Sequence, residues 1–201
     1  MKILNLIWII TLIIDNMLPL ALARFYPNYS HKDMALSVLG SRQSPVKWVY
    51  NAWCIVSGVV FCIAPYAFYQ VNSGGLAVAI WILLAMYGIG CEIVSGFCPL
   101  NENRQEEDAI TKIHGVASAI GFMTLLVVPL LMAILQFQVS EVAFGLISLL
   151  CFIVAFVFFC FLIMGEKEMF ATTVLRYGGL WQRLVLICCY IPLFVWCVIQ
   201  I

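Results

Sequence analysis

The sequence predicts an all-α polytopic membrane protein, a bundle of six transmembrane helices. Three observations predict it. Apolar residues make up 65% of the 201-residue chain and charged residues only 10%, where a soluble domain is closer to half apolar and a quarter charged. Six apolar runs each reach the ~20 residues needed to cross a bilayer core of ~30 Å. None alternates in polarity as a barrel strand does: 152–164 reads F-I-V-A-F-V-F-F-C-F-L-I-M. The same composition excludes an ordinary cytosolic enzyme and a disordered chain. Ten Lys and Arg against ten Asp and Glu leave no basic field to hold a nucleic acid.

The helices are expected at about 3–23, 48–69, 76–97, 113–135, 142–164 and 181–201, in one domain over 1–201. The first ends in Ala21-Leu22-Ala23 before Arg24, a small-residue pattern like that of a signal cleavage site. Cleavage there would leave five spans and turn the basic loops outward, so the first helix is expected to be retained. In the second helix, Asn51 is expected to hydrogen-bond across helices. Helices two and three are joined by 70–75 (Q-V-N-S-G-G), and four and five by 136–141, so both pairs form antiparallel hairpins. Gly88 and Gly90 on the third helix, with Ala117 and Gly121 on the fourth, let backbones approach closely. Pro65, Pro129 and Pro192 are expected to kink the second, fourth and sixth helices. The fifth helix, nearly all large and apolar, is expected to face lipid. Trp48, Trp53, Tyr177 and Trp181 are expected to form an aromatic belt at one interface.

Six spans place both termini and the two short turns on one side, with Lys2 as their basic residue. The three long loops hold nine: Arg24, Lys32, Arg42, Lys47, Arg104, Lys112, Lys167, Arg176 and Arg183. Lys and Arg accumulate on the cytoplasmic side. The expectation is a prokaryotic inner or plasma membrane protein with termini outside and long loops inside. The triplet Asn28-Tyr29-Ser30 fits a glycosylation sequon, but lies on the inner side and is read as silent.

Nine cysteines, an odd number with no C-x-x-C spacing, read as small, polarisable packing residues. A disulfide framework, a metal site and a cofactor are not expected.

Ionisable groups inside a membrane are costly and are functional candidates by default. Asp15 lies within the first span and Glu92 near the inner end of the third. Thr111, His114 and Ser118 share one helix face, as do Glu92 and Ser95. The three long loops lie on one side, so they add Ser30, His31, Asp33, Ser37, Arg176, Gln182 and Arg183 to the same membrane face. The opposite face offers Asn5, Asn72, Ser73, Ser140 and Glu141. A polar cavity opening at the inner interface would produce this asymmetry.

Five motifs occur in a family-like order. They are 29–40 (Y-S-H-K-D-M-A-L-S-V-L-G), 48–58 (W-V-Y-N-A-W-C-I-V-S-G), 90–99 (G-C-E-I-V-S-G-F-C-P), 111–117 (T-K-I-H-G-V-A) and 178–183 (G-G-L-W-Q-R). Together they resemble DUF 998, a family of uncharacterised six-helix prokaryotic integral membrane proteins. The resemblance implies a six-helix fold and no established reaction. More distantly it is similar to eukaryotic six-helix membrane proteins linked to autophagy, lipid-anchor remodelling and lipid asymmetry, a likeness of fold alone. The motif positions that the resemblance marks are Ser30, His31, Asp33, Ser37, Gly40, Asn51, His114, Gln182 and Arg183. The chain departs from the pattern in its acidic loop, with Glu102, Glu106, Glu107 and Asp108, where a shorter Pro-containing link is expected.

The favoured expectation is a non-enzymatic protein that binds a lipid or small amphiphile in the inner-face cavity. Its candidate residues are Ser30, His31, Asp33, Ser37, Asn51, Glu92, Ser95, His114, Ser118, Gln182 and Arg183, with Asp15 as a separate intramembrane carboxylate. Membrane lipid is the expected partner, and a homodimer is left open. One alternative is a small proton-coupled carrier using Asp15 and Glu92. A second is an intramembrane hydrolase built from Ser, His and acidic residues, although no G-x-S-x-G and no H-E-x-x-H occurs.

Overall fold

A computed structural model describes residues 1–102 and 108–201. Arg104, Glu106 and Glu107 lie outside the described residues. Six helices are long and apolar enough to cross a membrane: α1 (Lys2–Phe25), α2 (Lys47–Asn72), α3 (Gly74–Phe97), α4 (Ala109–Gln138), α5 (Val142–Gly165) and α6 (Gly178–Ile199). The described residues contain no strand. The protein is an integral, multi-pass membrane protein.

Each helix packs on its neighbour in sequence, and α1 closes the ring against α6. α4 also touches α6, so α5 lies over the outside of that pair. Leu146, Leu150 and Ile153 of α5 are exposed, in keeping with a helix that faces lipid. The half of the bundle nearest the short turns is filled. Trp8, Phe61, Phe68, Ile80, Met132 and Leu193 are fully buried there. Their rings meet at angles: Trp8 and Phe61 pack edge-on at 6.5 Å, and Phe68 lies 4.9 Å from Trp196. Offset and edge-on contacts suit ring quadrupoles better than face-to-face stacks.

The boundaries differ from the sequence expectation where turns are tighter than composition suggests. α2 and α3 are joined through Ser73 (φ 42°), followed by Gly74 at φ +83°. Glycine adopts that left-handed backbone at little steric cost. α4 starts at Ala109 and runs to Gln138, so it consumes part of the expected 136–141 turn. Asp108 caps its start: the carboxylate accepts from the Thr111 amide at 2.9 Å. Of the three prolines, Pro65 alone interrupts a helix. The segments Lys47–Ile63 and Pro65–Asn72 meet at Ala64. Pro65 opens the second segment, where an N–H would have no helical partner anyway. The helices carrying Pro129 and Pro192 continue through them.

Glycine contacts bring α2, α3 and α4 together. A Cβ on Gly88 would lie 2.6 Å from the Gly58 carbonyl oxygen. A Cβ on Gly90 would lie 2.5 Å from the Ala117 carbonyl oxygen and 3.3 Å from the Gly121 Cα. The backbones touch because these residues have almost no side chain. Between them, Gly88–Val94 winds as a π-helix, the form that an inserted residue produces and that recurs at functional sites.

Gly90→Val should therefore lower the melting temperature of the purified protein sharply, since overpacking a filled contact costs about 1–3 kcal/mol or more. Gly115→Ala is the control, because nothing lies within 4 Å of a Cβ at that position. Equal melting temperatures for the two variants would show that the α3–α4 seam is not closed at Gly90.

Candidate functional site

The half of the bundle nearest the long loops is hollow. A cavity of about 290 Å³ lies between α2, α3, α4, α5 and α6, with the first long loop over it. Seven of the eleven sequence-predicted candidates line it: Ser37, Asn51, Glu92, Ser95, His114, Ser118 and Gln182. They form its polar wall. Phe122, Met123, Phe159, Leu162, Ile163 and Leu186 form the apolar wall. Met123 and Ile163 are also exposed on the outside of the bundle, so this wall reaches the lipid-facing surface between α4 and α5.

Each polar group is held by a local contact. His114 Nδ1 lies 2.8 Å from the Cys98 carbonyl oxygen. A carbonyl only accepts, so that nitrogen carries the proton and Nε2 keeps its lone pair. The Ser95 and Ser118 hydroxyls are 2.8 Å apart and join α3 to α4. Asn51 Nδ2 donates to the Gly40 carbonyl at 3.0 Å. Its partner is thus the first loop, not another spanning helix as expected. Gln182 Oε1 accepts from the Leu36 amide at 2.8 Å. Ser37 and His114 also border a second hollow on the loop side, lined by Asn101, Glu102 and Thr111.

The other four candidates, Ser30, His31, Asp33 and Arg183, do not line the cavity. They fasten the loop that covers it. Arg183 Nη1 donates to the His31, Met34 and Gly179 carbonyls at 2.8, 3.2 and 2.7 Å, and Nη2 donates to the Tyr29 hydroxyl at 2.6 Å. Ser30 Oγ donates to Asp33 at 2.5 Å. Burial, and then the Arg183 charge, hold the His31 imidazole below its usual pKa. On the other side of the loop, Arg42 pairs with Asp108 at 2.7 Å. The Thr111 amide and then this pairing hold the Asp108 carboxyl down at about 2. The Tyr26 and Ser41 hydroxyls both donate to Glu102. Burial and that carboxylate push the Tyr26 phenol up to about 12. Among the described residues no cluster of three His, Cys, Asp or Glu is placed to hold a metal, and all nine cysteines are free thiols.

The family model described as "Protein of unknown function (DUF998)" matches residues 9–199, nearly the whole chain. The chain belongs to the DUF998 family. No curated protein and no solved structure matches it.

In this DUF998 chain the two intramembrane carboxylates are joined. Asp15 accepts from Trp53 Nε1 at 2.6 Å, from Ser57 Oγ at 3.0 Å and from the Tyr190 hydroxyl at 3.1 Å. The Tyr190 and Tyr87 hydroxyls are 2.7 Å apart, and Tyr87 bonds Glu92 at 2.8 Å. Trp53, expected in the interfacial belt, is instead spent on Asp15. Glu92, which could have reached toward the interface, is turned into the bundle. Sequence reasoning passed over Tyr87, Tyr190 and Ser57. For Tyr190 a signal existed, because a tyrosine in mid-span lies away from the interfaces where tyrosines gather. Tyr87 had no such signal. Residues five apart do not share an α-helical face, and only the π-helix brings Tyr87 and Glu92 together.

Arg183→Lys should leave the bundle intact but loosen the first loop, since a lysine cannot fork to several carbonyls as guanidinium does. Limited proteolysis should then cut within 26–46 at least several-fold faster than in the wild type. Unchanged cleavage would show that the loop is held without Arg183.

Proposed function

We propose that this DUF998 protein is a non-enzymatic binder of a membrane lipid or small amphiphile, held in the cavity beneath the first long loop. One observation carries this reading. A single cavity joins a polar wall near the loops to an apolar wall that reaches the outside of the bundle at Met123 and Ile163. Ligand sites combine mostly apolar walls with a few placed polar groups. An amphiphile matches both ends: its chain against Phe122, Phe159 and Leu186, its head against Asn51, Glu92, Ser95 and His114.

A hydrolase draws less support. Ser30 Oγ donates to Asp33, and His114 Nδ1 to a backbone carbonyl. Among the described residues no serine hydroxyl bonds a histidine, the pairing that would activate a nucleophile.

The basic residues support an orientation with the long loops in the cytoplasm and the termini outside. Alkaline phosphatase fused after Ile201 should be active, and a green fluorescent protein fused there dark. A bright fluorescent fusion reverses the orientation.

Native mass spectrometry of protein purified in mild detergent tests the binding. Wild type should retain a discrete lipid or amphiphile adduct, His114→Ala should lose most of it, and Ser140→Ala, on the opposite face, should keep it. Bare wild-type protein, or equal adducts on both variants, removes the cavity as the binding site.

A further inference from the structure

The cavity has one acidic side chain on its wall, that of Glu92, and no Lys or Arg among the described lining residues. Behind Glu92 lies the chain Asp15–Tyr190–Tyr87–Glu92, whose three oxygen–oxygen contacts measure 3.1, 2.7 and 2.8 Å. Each contact needs one proton, and each phenol supplies one. Two phenolic protons cannot fill three contacts. With both carboxylates ionised, either the two tyrosine oxygens face each other without a proton or one carboxylate loses its donor. A third proton on one carboxyl fills all three.

The partners of each carboxyl say where that proton rests. Asp15 also accepts from Trp53 and Ser57, donors that favour the ionised form. Among the described residues Glu92 is hydrogen-bonded by the Tyr87 hydroxyl alone. The proton therefore sits on Glu92, and the chain runs Glu92 to Tyr87 to Tyr190 to ionised Asp15. The other titratable groups about Glu92 are Tyr50, Cys91 and His114, and none of these is a fixed cation.

We infer that the cavity takes an amphiphile with a cationic head, and that each cation bound releases one proton from the Asp15–Glu92 chain. This rests on the binding reading above. The charges balance: the cation enters, the Glu92 O–H bond breaks, and the proton leaves to water on the loop side. Tyr87 then turns its hydroxyl to the Glu92 carboxylate, while Tyr190 keeps its own on Asp15. The two buried anions gain a positive partner that the described lining of the cavity does not supply. An anionic head would find no Lys or Arg among the described lining residues and could not take the place of the Glu92 proton.

Calorimetric titration of the full chain in a neutral maltoside micelle tests this with decyltrimethylammonium and with decanoate. The first is a permanent cation, so any proton released comes from the protein. Heats at pH 7 in two buffers of different ionisation enthalpy should give close to one proton released per cation bound. Decanoate should bind about tenfold more weakly or worse. Glu92→Gln should weaken the cation about tenfold or more. Asp15→Asn should still bind it but release no proton, because the asparagine amide can donate to Tyr190 and leave Glu92 ionised.

Decanoate binding as tightly as the cation overturns the head-group class and leaves amphiphile binding standing. Cation binding without proton release in the wild type overturns the shared proton. A lipid retained in native mass spectrometry with no cation binding sinks this inference alone. Failure of both probes and of lipid retention removes the binding reading with it. These decisions rest on wild-type protein, so the folding of the variants does not bear on them.

Discussion

A carboxylate in the middle of a membrane span must find its donors on neighbouring helices, and Asp15 sets which helices those are. It lies thirteen residues from the start of α1, about 20 Å along the helix axis, and ten residues, about 15 Å, from its end. Its donors come from α2 (Trp53, Ser57) and α6 (Tyr190), the two helices against which α1 packs. The ring thus closes where a polar group would otherwise be stranded, and an unsatisfied polar group in hydrocarbon costs several kcal/mol (~2–7). Lipid tails are as apolar as the side chains they meet, so burial alone gives little direction to helix pairing in a membrane. Hydrogen bonds and close backbone contacts have to provide it.

The close contacts run along α3. Gly88 meets Gly58 on one side, and Gly90 meets Ala117 and Gly121 on the other. The same stretch is wound as a π-helix. An extra residue in the turn rotates the downstream side chains by about 100° around the helix, and this brings Glu92 beneath Tyr87 and onto the cavity wall. The seam and the site are therefore one feature. The glycines that let three helices approach also permit the backbone form that aims the carboxylate.

At the loop end, the bundle is covered by the first long loop, which a small apolar cluster of Leu22, Ala23, Leu39 and Val46 and a set of polar contacts hold in place. Arg183 gathers the His31, Met34 and Gly179 carbonyls, while the Arg42–Asp108 pair and the Glu102 hydrogen bonds tie the first long loop to the connection between α3 and α4. Candidate residues thus divide by role. Ser37, Asn51 and Gln182 touch both cavity and loop. Ser30, Asp33 and Arg183 hold the loop's shape.

Sequence by itself determined the six spans, the helical class, the hairpin pairing, the largely exposed, apolar character of α5 and the gathering of polar groups at one face. Each follows from hydrophobic length and loop position, which are local quantities that a linear chain displays. It also marked Gly88, Gly90, Ala117 and Gly121 as contact residues, because small residues in apolar runs serve few other purposes. Tertiary structure alone decided that Asp15 and Glu92 are joined, that Trp53 is a donor and not a belt residue, that Pro65 breaks a helix while Pro129 and Pro192 do not, and that Arg183 fastens a loop. The reason is physical. Hydrogen-bond partners 38 to 175 residues apart in sequence are chosen by helix rotation and crossing, and a π turn resets that rotation without leaving a mark in the hydropathy of the chain.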